Sequence, residues 1–221
     1  MTTATKPVRK RRPQERAGVT QEKMLEVAVR EFSERGYDAV TVRDIEVQAG
    51  VQRNLLKYHF DSKEGIWKAA AKHTFDQLEE YMSRRQELMK DLPARERVAY
   101  TIRSFARYAA SHPELHRLMI QEGKKDTWRL RWIVENYVGE SSKNLQQLAQ
   151  NDLGIDKEDF VHWYYMFVGG VPAMFSMAPE ARLLFDTDVT DDQIISRHTE
   201  MMVDLLLGRA ADKTDKDDSK Q

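Results

Sequence analysis

Apolar residues recur three and four positions apart along nearly the whole chain, and the long alternating runs that half-buried strands need are absent. The pattern predicts an all-α fold of nine helices. Thr20 reads as the N-cap of the first, with Val19 and Met24 placed to close a hydrophobic staple. Met24, Leu25, Ala28 and Phe32 form its inner face, and Gly36 is its stop. Thr41, with Asp44 three residues on, opens a brief second helix with Val42, Ile45 and Ala49 inward. Gly50 turns the chain into a short third helix lined by Val51, Leu56 and Phe60. Ser62 caps a long fourth helix that carries Ile66, Trp67, Phe75, Leu78 and Met82 inward.

Beyond Pro93, the segments "ARERVAYTIRSFARYAA", "SHPELHRLMIQEG" and "TWRLRWIVENYVGESSKNLQQLAQ" predict three further helices. Asp156 is a cap for "KEDFVHWYYMFVGGVPAMF", which Pro172 should bend or interrupt. Thr190 with Gln193 forms a capping box for the last helix, "DDQIISRHTEMMVDLLLG". These elements divide the chain into an arm at 1–19, a three-helix unit at 20–66, a larger helical domain at 67–208 and a polar tail at 209–221. Arm and tail are too polar to fold alone and are expected to be disordered.

Composition narrows the function classes. Cysteine is absent, which removes disulfide frameworks, cysteine zinc sites and thiol catalysis together. No apolar run approaches the ~18 residues of a membrane span, so a soluble, cytoplasmic protein without a membrane partner is expected. The net charge of −1 hides an asymmetry: through Lys63 the chain holds 13 Lys or Arg against 9 Asp or Glu, and the remainder is acidic. The early excess is concentrated at Lys6, Arg9, Lys10, Arg11, Arg12 and Arg16, against Glu15. A basic amino end on an otherwise acidic chain points to a polyanion, most simply nucleic acid. A solvated tail would show the same charge.

Two short helices joined through "QAGV" have the form of a helix-turn-helix whose second helix enters a major groove. With Val51 and Leu56 inward, Gln52, Arg53, Asn54, Leu55, Lys57 and Tyr58 fall on or near the outer side. Arg suits a bidentate contact to guanine, Asn and Gln suit adenine, and Leu55 suits a thymine methyl. Thr41 and Lys63, each at a helix start, are placed to hold phosphates. Arg43 and His59 complete the expected DNA-binding set.

The stretch "GYDAVTVRDIEVQAGVQRNLLKYHFDSKEGIW" resembles the TetR family of bacterial transcriptional regulators. The likeness rests on the Gly36-Tyr37 turn, the Thr41-Val42 helix start, the Ala-Gly-Val turn and the Tyr-His-Phe-x-Ser-Lys-Glu ending. The resemblance implies a homodimer on a palindromic operator, an amino-terminal DNA-binding domain, and a variable helical domain that binds a small effector and releases the DNA. Three positions depart from the family's habit. Gln52 stands where Ser or Thr commonly caps the recognition helix, Asn54 where a small residue is common, and Lys57 in place of a Tyr.

An apolar or aromatic effector is expected, with Phe75, Tyr100, Phe105, Tyr108, Trp128, Trp132, Trp163 and Phe167 as pocket candidates; ordinary core packing would use the same residues. Dimer contacts are expected from Phe167, Gly170, Phe175, Ile194, His198, Met201, Met202 and Leu205, a broad apolar stripe on the last two helices. His112 and His116 have the spacing of a helical metal pair, yet Pro113 starts the helix after His112 and no third ligand is near, so neither metal nor cofactor is expected. No nucleophile and base stand at a recognisable spacing and no Gly-rich phosphate loop is present, so no catalytic residue is assigned. The rival to a ligand-responsive repressor is a helical protein-interaction or small-molecule-binding module whose DNA recognition has decayed.

Overall fold

A computed structural model describes residues 13–211. Counting a run that passes through a π turn as one helix, these residues form ten. They are α1 (Pro13–Ala39), α2 (Val42–Gln48), α3 (Leu55–Phe60), α4 (Lys63–Leu88), α5 (Ala94–Ser111), α6 (Pro113–Glu122), α7 (128–153), α8 (157–176), α9 (Ala178–Phe185) and α10 (Asp192–Ala211). The tenth is α9, which the sequence pattern merges with the segment before it. Among the described residues no strand occurs, and no helix is long and apolar enough to cross a membrane.

Several helix ends differ from expectation. α1 begins at Pro13, so Thr20 lies within it and residues 13–19 are helical. Proline at the first helical position is pre-organised for that start, and Gly18 costs too little to break the run. Residues 1–12 of the arm and 212–221 of the tail lie outside the described residues. Asp191, not Thr190, caps α10: its Oδ1 accepts from the Gln193 and Ile194 amides at 2.8 and 3.3 Å, while Thr190 is held by Asp188. A carboxylate at a helix start is the stronger acceptor and complements the helix dipole. Pro172 does not interrupt α8, because a π turn at Met166–Gly170 just before it re-registers the backbone around the missing N–H.

The chain divides into two compact units, Met1–Ala71 and Lys72–Gln221. Residues 67–71, grouped with the larger domain from the sequence, lie in the first. There Met24, Ala28 and Phe32 of α1 meet Ile45 of α2, Leu56 and Phe60 of α3, and Ile66, Trp67 and Ala70 at the start of α4, all buried. Tyr37 links the layers, stacked on Phe32 at 5.9 Å and edge-on to Trp67 at 6.3 Å.

In the second unit α5 is central. Its Val98, Ala99, Ile102 and Ala106 pack with Ala149 and Leu153 of α7, Trp163, Phe167 and Val171 of α8, and Val203, Leu206 and Leu207 of α10. Trp163 Nε1 donates to the Leu206 carbonyl at 3.2 Å, which satisfies a buried indole while fixing α8 on α10. Arg97 forks onto the nearly buried Asp152 at 2.9 and 2.5 Å, tying the start of α5 to the end of α7.

Candidate nucleic-acid interface

The helix-turn-helix is built by short-range chemistry at its ends. Thr41 and Asp44 form a reciprocal capping box: the Asp44 amide donates to Thr41 Oγ1 at 3.1 Å, and the Thr41 amide to Asp44 Oδ2 at 2.9 Å. Asp44 in this box has its carboxyl held below the usual carboxylate range, first by the Thr41 amide, then by the Thr41 hydroxyl, with Arg35 and Lys63 adding to the effect. The stability it contributes is therefore complete above the ordinary carboxylate value and is lost as pH falls through the lowered one. Asp44→Asn should flatten the dependence of the unit's melting temperature on pH below about 4, as read by circular dichroism. A slope unchanged from the parent would contradict this.

Gly50, at φ +65°, makes the turn that reverses the chain after α2. Arg30 Nη2 reaches Gln48 Oε1 at 2.8 Å and Arg35 Nη2 lies 3.7 Å from Asp44 Oδ2, so α1 clasps both ends of α2, and Arg35 is itself held by the buried Glu31 at 2.6 Å. Ser62 caps α4 as expected, accepting from the Gly65 amide at 3.0 Å.

α3 starts later than the sequence suggests. Its N-cap is Asn54, at φ +69° and with no side-chain capping bond, so Gln52 and Arg53 lie ahead of the helix rather than on its face. All three remain exposed. Lys57 is exposed, Tyr58 is 80% exposed, and Leu55 and His59 are half-buried, with the His59 ring edge-on to Tyr58 at 5.1 Å. Leu56 and Phe60 face the core. The unit thus brings together Gln52, Arg53, Asn54, Lys57 and Tyr58 on one outward stretch.

Two expected phosphate contacts are already engaged. The Thr41 hydroxyl belongs to the capping box, and the Lys63 ammonium lies over the Tyr37 ring at 4.3 Å. Arg43 projects from the first turn of α2, more than half exposed, with Nη1 at 3.6 Å from Glu46 Oε2. Glu46 itself was missed. It is buried, and its Oε1 accepts from the Leu56 amide at 3.3 Å, in the first turn of α3. No local spacing signals a partner ten residues away.

The residues nominated for an effector pocket sort by their ring contacts into three groups. Phe75 stacks on Tyr137 at 4.8 Å, with Trp132 edge-on to the same ring. Tyr108 is buried against Tyr81 and His112 and donates to the Thr74 carbonyl at 3.3 Å. Phe105, Phe167 and Trp163 form the third, inside the core around α5. Tyr100 is half-buried and Trp128 is exposed.

The nominated dimer residues also divide. Phe167 and Phe175 are buried within the chain. His198 bonds the Val171 carbonyl at 2.9 Å, and Met202 lies against Gly170. Ile194 is half-buried, while Met201 and Leu205 are exposed. On α8, Val161 and Tyr165 are exposed, and an open groove of about 550 Å³ is lined by Val161, His162, Tyr165, Met166 and Gly170. His112 and His116 do not pair: His112 Nδ1 lies against the Tyr108 carbonyl and His116 Nδ1 against Ser176 Oγ.

An amino-terminal helix-turn-helix with an outward polar stretch at its second helix has the form of a DNA-binding unit. Residues 24–70 match the family model described as "Bacterial regulatory proteins, tetR family". The biofilm operon icaADBC HTH-type negative transcriptional regulator IcaR of Staphylococcus aureus (strain Newman) is 40% identical over 57 residues. That match takes in 26% of this chain and 31% of the relative, so the chain spans about a third of the curated relatives it matches. A TetR-like transcriptional regulator from Rhodococcus sp. RHA1 superposes with a TM-score of 0.62 at 18% identity, over 85% of this chain and 93% of the other. A TetR family transcription regulator from Marinobacter aquaeolei VT8 gives 0.63 at 19%, over 86% and 97%. FadR from Bacillus subtilis, in complex with stearoyl-CoA, gives 0.61 at 18%, over 84% and 97%. Residues 24–70 thus match the amino-terminal domain of the tetR family, and the described residues share the fold of the TetR-like structures.

Proposed function

We propose that this protein is a transcriptional repressor that binds an inverted-repeat operator as a homodimer and is released by a small apolar or aromatic effector. The observation that carries the DNA half of the reading is the surface at the start of α3: Gln52, Arg53, Asn54, Lys57 and Tyr58 are all exposed, over a core of Leu56 and Phe60. Unpaired donors of these types match base edges and phosphates in a major groove. The matched relative IcaR is named a negative regulator, which supports repression. Exposed Met201 and Leu205 on α10, with Val161 and Tyr165 on α8, support dimerisation through these helices.

Selection of bound sequences from a random duplex library, with the complex weighed, tests this directly. An enriched inverted repeat held by an even number of chains supports the proposal. Failure to enrich any sequence favours the module with decayed DNA recognition. On the selected duplex, Arg53→Ala should weaken binding about 10- to 100-fold and relax preference at one base pair. Lys57→Ala should weaken selected and random duplexes alike and lower the salt slope by about one. Equal losses on both duplexes for Arg53→Ala would remove Arg53 from base reading.

A further inference from the structure

We infer that Glu46 is the positioning residue of the reading surface, a buried carboxylate on α2 that replaces the missing local cap of α3. The inference rests on the DNA-binding reading above. A helix leaves its first amides without intrahelical partners, and in a six-residue helix they are a large share of its backbone bonds. Local help is poor in α3. Asn54 occupies the left-handed region without a side-chain bond to the helix, and Gln52 precedes the first helical residue by three. The Leu56 amide is satisfied instead by Glu46 Oε1 at 3.3 Å.

Burying a carboxylate on an α2 face otherwise filled by Ile45 is costly unless both oxygens are used. Here they are: Oε1 takes the Leu56 amide, and Oε2 faces Arg43 Nη1 at 3.6 Å. An apolar side chain of similar volume would fill the space as well but would leave the amide without an acceptor. The carboxylate therefore sets where α3 begins, and with it the placement of Asn54, Leu55, Lys57 and Tyr58 against a groove. It also joins Arg43, at the start of α2, to the same framework. A cap supplied from a neighbouring helix fixes the angle between α2 and α3, which a cap from within α3 would not do.

Glu46→Gln and Glu46→Met separate the hydrogen bond from the charge. Both remove one negative charge near the DNA-facing surface, so affinity for a random duplex should rise alike in both. Only Met removes the acceptor while keeping nearly the same shape. On the duplex selected by the parent protein, the ratio of selected to random affinity should fall about tenfold or more for Glu46→Met and stay within about threefold for Glu46→Gln. Equal ratios in the two variants, with helical content and cooperative melting intact, would overturn the inference.

Should the Met variant not fold, amide hydrogen exchange in the parent decides. A Leu56 amide protected in the parent, and still protected in Glu46→Gln, supports the cap, and one exchanging like a solvated amide overturns it. Should the parent enrich no sequence, the DNA-binding reading fails by itself, and the same exchange measurement still judges the cap.

Discussion

Gly65→Ala should lower the melting temperature of the amino-terminal unit by more than about 10 °C, a loss on the order of 3 kcal/mol, and abolish operator binding. Gly65 sits in the first turn of α4, where the chain doubles back from α3 through Asp61 and Ser62. A Cβ there would lie inside the van der Waals envelope of the Phe60 carbonyl oxygen, and 3.1 Å from its carbon. Both atoms are backbone, so no side-chain rotation relieves the clash. Relief requires moving either the end of α3 or the start of α4. The first displaces the proposed reading surface, and the second breaks the Ser62 cap and disturbs buried Ile66 and Trp67. Gly18→Ala, with open space around its position in α1, is the matched control and should stabilise slightly. Equal melting of the two variants would show that the α3–α4 junction yields more readily than the geometry implies.

The second large effect is expected at the proposed dimer face. Leu205→Glu should convert a dimer of twice the 25.8 kDa chain mass into a monomer at micromolar concentration. The same change should weaken operator binding about 100-fold or more, because linking two half-site readers is itself worth that factor. Leu205 is 57% exposed and Met201, one turn earlier, 65%, so neither is needed to fill the interior of its own chain. A carboxylate at 205 thus leaves the protomer intact. In a two-fold interface it brings two charges into an apolar contact and removes two leucines from it. Light scattering reads the mass, and melting reports whether the fold survives. A Leu205→Glu protein that remains dimeric would place the interface elsewhere.

Features legible in the sequence are those whose cause spans one helical turn. The Thr41–Asp44 capping box, the Ser62 cap and the Gly50 turn are each set by residues three or fewer positions apart, and each stands as read. The buried run of Met24, Ala28 and Phe32 follows from the helical period in the same way. Misreadings arise where two local signals compete. Thr190 and Asp191 both suit a cap, and the carboxylate takes it. Thr20 suits a cap as well, yet the helix already runs through it from Pro13. α3 starts later than the periodicity suggests because Asn54 adopts a left-handed conformation that composition does not announce.

Helical periodicity, turn glycines and the polar cluster after Gly50 suffice to establish an all-α chain with a helix-turn-helix at its amino end. They suffice because backbone hydrogen bonding and capping are local. Periodicity cannot say which of two apolar faces turns inward. In α10, Val203, Leu206 and Leu207 enter the core while Met201 and Leu205 face out, and the choice is made by Trp163 and Phe167 of α8 and Ile102 of α5. The aromatic residues that one reading gathers into a pocket are sorted into three stacks by the helices that meet them. Glu46 reads as a surface residue of a short helix until α3 folds over it and offers an amide to its carboxylate. Each of these depends on partners from ten to more than a hundred residues away, and only the packing of helices against one another brings such partners together.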